Sequence, residues 1–112
     1  MNPQTWTYLD HSQRETRLPD SVAIALQVLR AEPDIKTIIL FGSRAVGDHD
    51  ERSDFDIAIS ADGIDRQKLA LLRDKIGQSP TLFKIAVTLL ESMPPALRQR
   101  VVTQGVVIYE RA

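Results

Sequence analysis

The 112-residue chain contains no cysteine, which excludes disulfides, thiolate metal sites and a cysteine nucleophile. It has no large excess of charge of either sign: a net charge of −1 leaves the whole chain without the footprint of an electrostatic nucleic-acid binder, so such a contact would need a local patch. No apolar run approaches the ~18 residues a membrane span needs. The start, Met1-Asn2-Pro3-Gln4-Thr5, lacks the basic and apolar stretches of a secretory signal. A cytoplasmic location is the expectation. Internal repeats and low-complexity tracts are absent as well. What is present is an ordinary globular balance, 43% hydrophobic and 26% charged, in a length that suits one domain.

Apolar periodicity sets out the order of elements. Residues 1 to about 18 are polar and aperiodic and read as a loosely attached arm, with Trp6 available to dock on the domain or on a partner; the domain proper covers 19–112. Asp20 is placed to cap a helix whose stripe is Val22, Ala25, Leu26 and Leu29, stopped at Glu32-Pro33. Lys36 to Phe41 reads as a buried strand, and Gly42 to Gly47 as a brief helix with free first amides. A charged loop leads to a second strand, Asp54 to Ser60. A helix over 64–76 follows, with Leu69, Leu72 and Ile76 at helical spacing. Leu82 to Leu89 alternates as a third strand. Pro94-Pro95 opens a last helix, with Leu97 and Val101 inward, which ends at Gly105; Val106 to Tyr109 suits a short edge strand. The fold class is α/β (α+β): a small mixed sheet with helices packed on one face and the other face open.

The chemistry concentrates where the first strand ends. Ten residues separate Gly42-Ser43 from Asp54-Phe55-Asp56. A glycine at the strand tip lets backbone approach a ligand closely, and the amide end of a helix carries roughly half a positive charge, which suits phosphate. Ser43 can add a hydroxyl donor, or serve only as a helix cap. Asp54 and Asp56 fall on one face of a strand while Phe55, Ile57 and Ile59 fall on the other. As hard oxygen ligands two apart they can hold Mg²⁺ against a triphosphate; the bland alternative is a pair of solvated strand-start residues. Arg44 admits a phosphate contact or a surface ion pair, and Lys84 either reaches the triphosphate or stays solvated. His49 and His11 read as exposed loop histidines without a defined partner.

Gly42-Ser43, the ten-residue gap and Asp54-Phe55-Asp56 resemble the signature of the minimal nucleotidyltransferases, relatives of DNA polymerase beta, over about residues 20 to 110. The resemblance implies a polymerase beta-like fold, ATP as substrate, Mg²⁺ as cofactor, Asp54 and Asp56 as the catalytic metal-binding pair, and Gly42 and Ser43 at the nucleotide; Arg44 and Lys84 join them as nucleotide-binding candidates by position alone. Members of this size are often antitoxins paired with a HEPN-domain ribonuclease toxin, so the implied activity is transfer of AMP onto a hydroxyl of that toxin. One departure stands out. The family places a third acid on the third strand, and here the matching position is Ala86. An alanine neither ligates metal nor takes a proton, a loss that by analogy with general-base contributions costs ~10²- to 10⁴-fold in rate. Two alternatives therefore accompany the enzyme: a nucleotide-binding antitoxin that neutralises its partner by occlusion, and a nucleotidyltransferase acting on a small molecule, which the lack of a second, substrate-binding domain disfavours.

Overall fold

The computed structural model describes residues 7–47 and 50–111. Two strands, β1 (Thr7–Leu9) and β2 (Glu15–Arg17), form an antiparallel hairpin ahead of helix α1 (Asp20–Arg30). Strand β3 (Ile35–Phe41), the four-residue helix α2 (Ser43–Val46) and strand β4 (Phe55–Ala61) come next. Helix α3 (Arg66–Gly77), strand β5 (Ile85–Leu89), a 3-10 turn over Leu90–Ser92, helix α4 (Pro95–Gln104) and strand β6 (Val106–Glu110) complete the chain. The main sheet has the order β5-β4-β3-β6. It is mixed: β4 pairs antiparallel with β3, β3 antiparallel with β6, and β4 parallel with β5.

Helices α1 and α3 cover one face, as expected. Leu26, Leu29, Leu72 and Ile76 pack there against Phe55, Ile57, Ile59 and Val87, with Leu69 and Ile85 at the margin. α3 is started by Asp65, whose carboxylate accepts from the Lys68 amide at 2.8 Å. Asp20 does not cap α1. It is the first helical residue, Pro19 holds the cap position, and the Asp20 carboxylate pairs instead with Arg17 at 2.6 Å.

The opposite face is only partly open. A second, smaller cluster joins Ile39 and Ala58 of the sheet to Met93 and to Val101 of α4. Most of α4 is solvent-facing, and Leu97, expected inward, stays partly exposed. The third strand starts later than the alternation suggests, at Ile85, because residues 82 and 83 form a bend. The largest difference is in the N-terminal segment. In place of a loose arm, residues 7–17 form a hairpin that buries Tyr8 and Asp10, with Leu18 entering the main core. Trp6 and His49 lie outside the described residues.

Leu26 is fully buried in the main cluster. Leu26→Ala is expected to cost roughly 2–5 kcal/mol, lowering the denaturation midpoint without changing the fold. Denaturant titration followed by circular dichroism checks this; a loss under ~1 kcal/mol would remove α1 from the core.

Candidate active site

β3 ends at Phe41, which pairs in register with Asp56 of β4. The chain then turns through Gly42, whose φ of 75° lies in the left-handed region open to glycine. This turn lays the Gly42 backbone directly against the Asp56 carboxylate. A Cβ at position 42 would overlap Asp56 Oδ2 and stand 3.3 Å from Cγ. The strand-tip corner and the second aspartate are therefore adjacent, the geometry on which a shared phosphate and metal site depends. Ser43 opens α2 at this corner, where the amide end of the helix is free of any side-chain cap.

The carboxylates are close enough to act on one another. Partial burial pushes the Asp56 carboxyl above the usual range, the Asp54 charge pushes it further, and Lys84 pulls it back. Asp54 is exposed, just ahead of the strand, and Asp56 is half-buried. Two like charges at a partly desolvated spot, with a lysine nearby, form a donor set suited to a hard divalent cation shared with phosphate oxygens. No group of three acidic, histidine or cysteine side chains that could hold a metal occurs among the described residues. A pair of carboxylates is what this chain supplies.

Asp56 pairs directly with Ala86 across the parallel β4–β5 ladder. In-register neighbours in a sheet carry their side chains on the same face, so the methyl of Ala86 lies next to Asp56, at the place where the family resemblance leads one to expect a third acid. Lys84 precedes β5, exposed, and its backbone carbonyl accepts from the Phe55 amide at 2.9 Å.

Arg44, for which the sequence leaves open a phosphate contact or a surface ion pair, packs inward. It is 5% exposed, and its guanidinium lies 4.1 Å from the Phe55 ring centroid and 5.5 Å from that of Phe83, on the sheet face opposite Asp56. Its Nη2 donates to Ser53 O at 2.9 Å and to Glu51 O at 3.4 Å. The planar cation fills the space between α2 and the loop, where stacking and backbone acceptors compensate its burial. It ties the Gly42-Ser43 corner to the segment that delivers Asp54. A basic residue beside Gly-Ser suits either direction, so residue type did not decide it.

The corner also opens on a cavity of about 350 Å³ lined by Phe41, Gly42, Ser43, Val46 and, from α4, Leu97, Arg100, Val101 and Gln104. Arg100 and Gln104 have no motif in the sequence. Their place depends on α4 crossing the sheet, which a weakly amphipathic helix does not announce.

Residues 25–112 match the family described as Polymerase beta, Nucleotidyltransferase. The chain belongs to this family. It is similar to a chain of a toxin–antitoxin crystal structure with AMP-PNP, at 28% identity and a TM-score of 0.64, covering 82% of this chain and 73% of that one. It is also similar to a structure of tri-AMPylated Shewanella oneidensis HEPN toxin in complex with MNT antitoxin, at 27% identity and a TM-score of 0.61, covering 81% and 71%. The toxin–antitoxin MntA-HepT structure matches with the same identity, TM-score and coverage. None of the curated proteins matches the chain.

Because the Asp56 carboxyl is held above its ordinary value, the folded state binds this proton more tightly than the unfolded chain does. Stability contributed at low pH is lost as pH rises through the raised folded value. Asp56→Asn is therefore expected to raise Tm at pH 7 and to lose its advantage below the usual carboxylate range. A lower Tm at pH 7 would contradict this. Gly42→Ala combines the overlap with Asp56 and the positive φ, and is expected to cost roughly 1–3 kcal/mol in thermal unfolding.

Proposed function

We propose that this chain is a Mg²⁺-dependent adenylyltransferase that moves AMP from ATP to a hydroxyl of a HEPN ribonuclease toxin and so serves as its antitoxin. The observation that carries the reading is the contact of the Gly42 backbone with the Asp56 carboxylate at the end of β3. The likeness to complexes of MNT antitoxin with HEPN toxin, one of them tri-AMPylated, supports the choice of partner and of transferred group. The reading sets the protein in the cytoplasm, where ATP is available; no helix among the described residues is long and apolar enough to cross a membrane.

In the reaction the acceptor oxygen attacks the α-phosphorus of ATP. A new P–O bond forms, the bond to the β-phosphate bridging oxygen breaks, and pyrophosphate leaves with the electron pair. The acceptor proton passes to solvent. Gly42 and Ser43 hold polyphosphate oxygens with backbone amides and the Ser43 hydroxyl. Asp54 and Asp56 hold the cation, and Mg²⁺ when bound supplies neutralisation of the charge that builds on the phosphoryl oxygens. Lys84 adds a cation at the same rim. The cavity beside Gly42 and Ser43 offers room for the remainder of the nucleotide. Arg44 acts through position, bracing α2 against the Ser53 carbonyl.

Ala86 favours a second reading. With no carboxylate on β5 at the position paired with Asp56, nothing at that place takes the acceptor proton, and the same surface can neutralise the toxin by covering it while binding ATP. Incubation with labelled ATP, Mg²⁺ and the HEPN partner separates the two. The transferase reading predicts labelled partner, abolished by Asp54→Asn and raised ~10²- to 10⁴-fold by Ala86→Asp. Unlabelled partner that is nonetheless neutralised, with Asp54→Asn leaving neutralisation intact, would establish occlusion instead.

A further inference from the structure

The β1–β2 hairpin precedes residue 25, where the family match begins, and it closes on the far end of α2. Four successive carbonyls there accept hydrogen bonds from it. Arg44 O accepts from the Tyr8 hydroxyl at 3.2 Å and Ala45 O from the His11 amide at 2.9 Å. Val46 O accepts from Ser12 Oγ at 3.1 Å and Gly47 O from Arg14 Nη2 at 2.6 Å. The two preceding carbonyls, of Gly42 and Ser43, accept from amides of α2 itself and of Gly47. Every carbonyl from 42 to 47 is thus satisfied, two by the helix and four by the hairpin.

This matters because a four-residue helix cannot hold its own shape. Nucleating a turn costs more than so few internal bonds return, and the last carbonyls of any helix lack internal partners. The hairpin supplies those partners from a turn that is itself fixed. Asp10, 1% exposed, accepts from the Ser12 amide at 2.9 Å and the Arg14 amide at 3.1 Å, and pairs with Arg14 Nε at 3.4 Å. Gly47, at φ 91°, makes the seat: a Cβ there would meet Ser12 Oγ at 2.6 Å and Asp10 Oδ2 at 3.1 Å.

We propose that the hairpin is a positioning element of the nucleotide site, with Ser12 and Arg14 as positioning residues that hold α2 so that its amide end stays aimed at the space beside Asp56. It rests on the nucleotide reading above. ATP affinity then depends on a segment outside the matched family region that never touches the nucleotide.

The test is the full chain carrying Ser12→Ala with Arg14→Ala, compared with wild type by amide hydrogen exchange and by calorimetric titration of ATP with Mg²⁺. Exchange at Ala45, Val46 and Gly47 is expected to rise roughly tenfold or more, with Ile38 and Ile57 unchanged. The dissociation constant for ATP is expected to rise roughly tenfold, with Ser12→Thr in the Arg14→Lys background recovering most of both effects. Unchanged exchange in α2 overturns the clamp. Faster exchange with unaltered ATP affinity overturns its role in binding. A wild type that binds no ATP sinks the nucleotide reading alone, and exchange still decides whether the hairpin holds α2. Should the double variant fail to fold, Ser12→Ala alone, at an exposed turn position, reads out the same amides.

Discussion

The close approach of the Gly42 backbone to the Asp56 carboxylate is the constraint that organises the rest of this molecule. Only a residue without a Cβ fits there, and only a chain reversing sharply at the end of β3 brings the amides of α2 to the same rim. The antiparallel β3–β4 ladder, with Phe41 opposite Asp56, fixes the distance. Burial of Ile38, Leu40, Ile57 and Ile59 under α1 and α3 keeps that ladder from slipping, since a one-residue shift would turn each of these side chains to the other face.

Around the contact the chain accepts local costs. Asp56 carries a charge in a partly desolvated place beside a second acid, an arrangement that opposes stability and suits a cation. α2 is too short to support itself and is held from two sides. Arg44 anchors it to the loop before Asp54, and the hairpin donates to the carbonyls of its last three residues and of Gly47. So small a helix needs such supports, because a binding constellation tolerates only about half an ångström of drift.

How much of this could be read from the sequence follows from how local each feature is. The strand-tip Gly42-Ser43 and the alternating Asp54-Phe55-Asp56 announce themselves, because strand periodicity sorts acids from apolars within five residues. The place of Ala86 beside Asp56 is expected only from the family resemblance, because the register between two strands thirty residues apart leaves no trace in either strand's own alternation. The direction of Arg44 was not: its choice between phosphate and the Phe55 ring depends on where the 51–53 loop passes. Nor was the hairpin. Its strands are three residues long, and its bonds run to carbonyls more than thirty positions away, which composition does not register. The Pro94-Pro95 start and Gly105 stop announce α4 as a helix, but with Val101 as its one buried side chain its crossing of the second face leaves little periodic trace.

The central claim is that the Gly42-Ser43 corner and the two aspartates form one site for a metal-bridged polyphosphate. Paramagnetic line broadening with Mn²⁺ and a non-hydrolysable ATP analogue tests it most directly. Amide resonances of Gly42, Ser43, Asp54 and Asp56 should vanish together, only when both metal and nucleotide are present, while those of α1 stay sharp. Broadening centred elsewhere, or on the aspartates without the glycine–serine corner, would contradict the account.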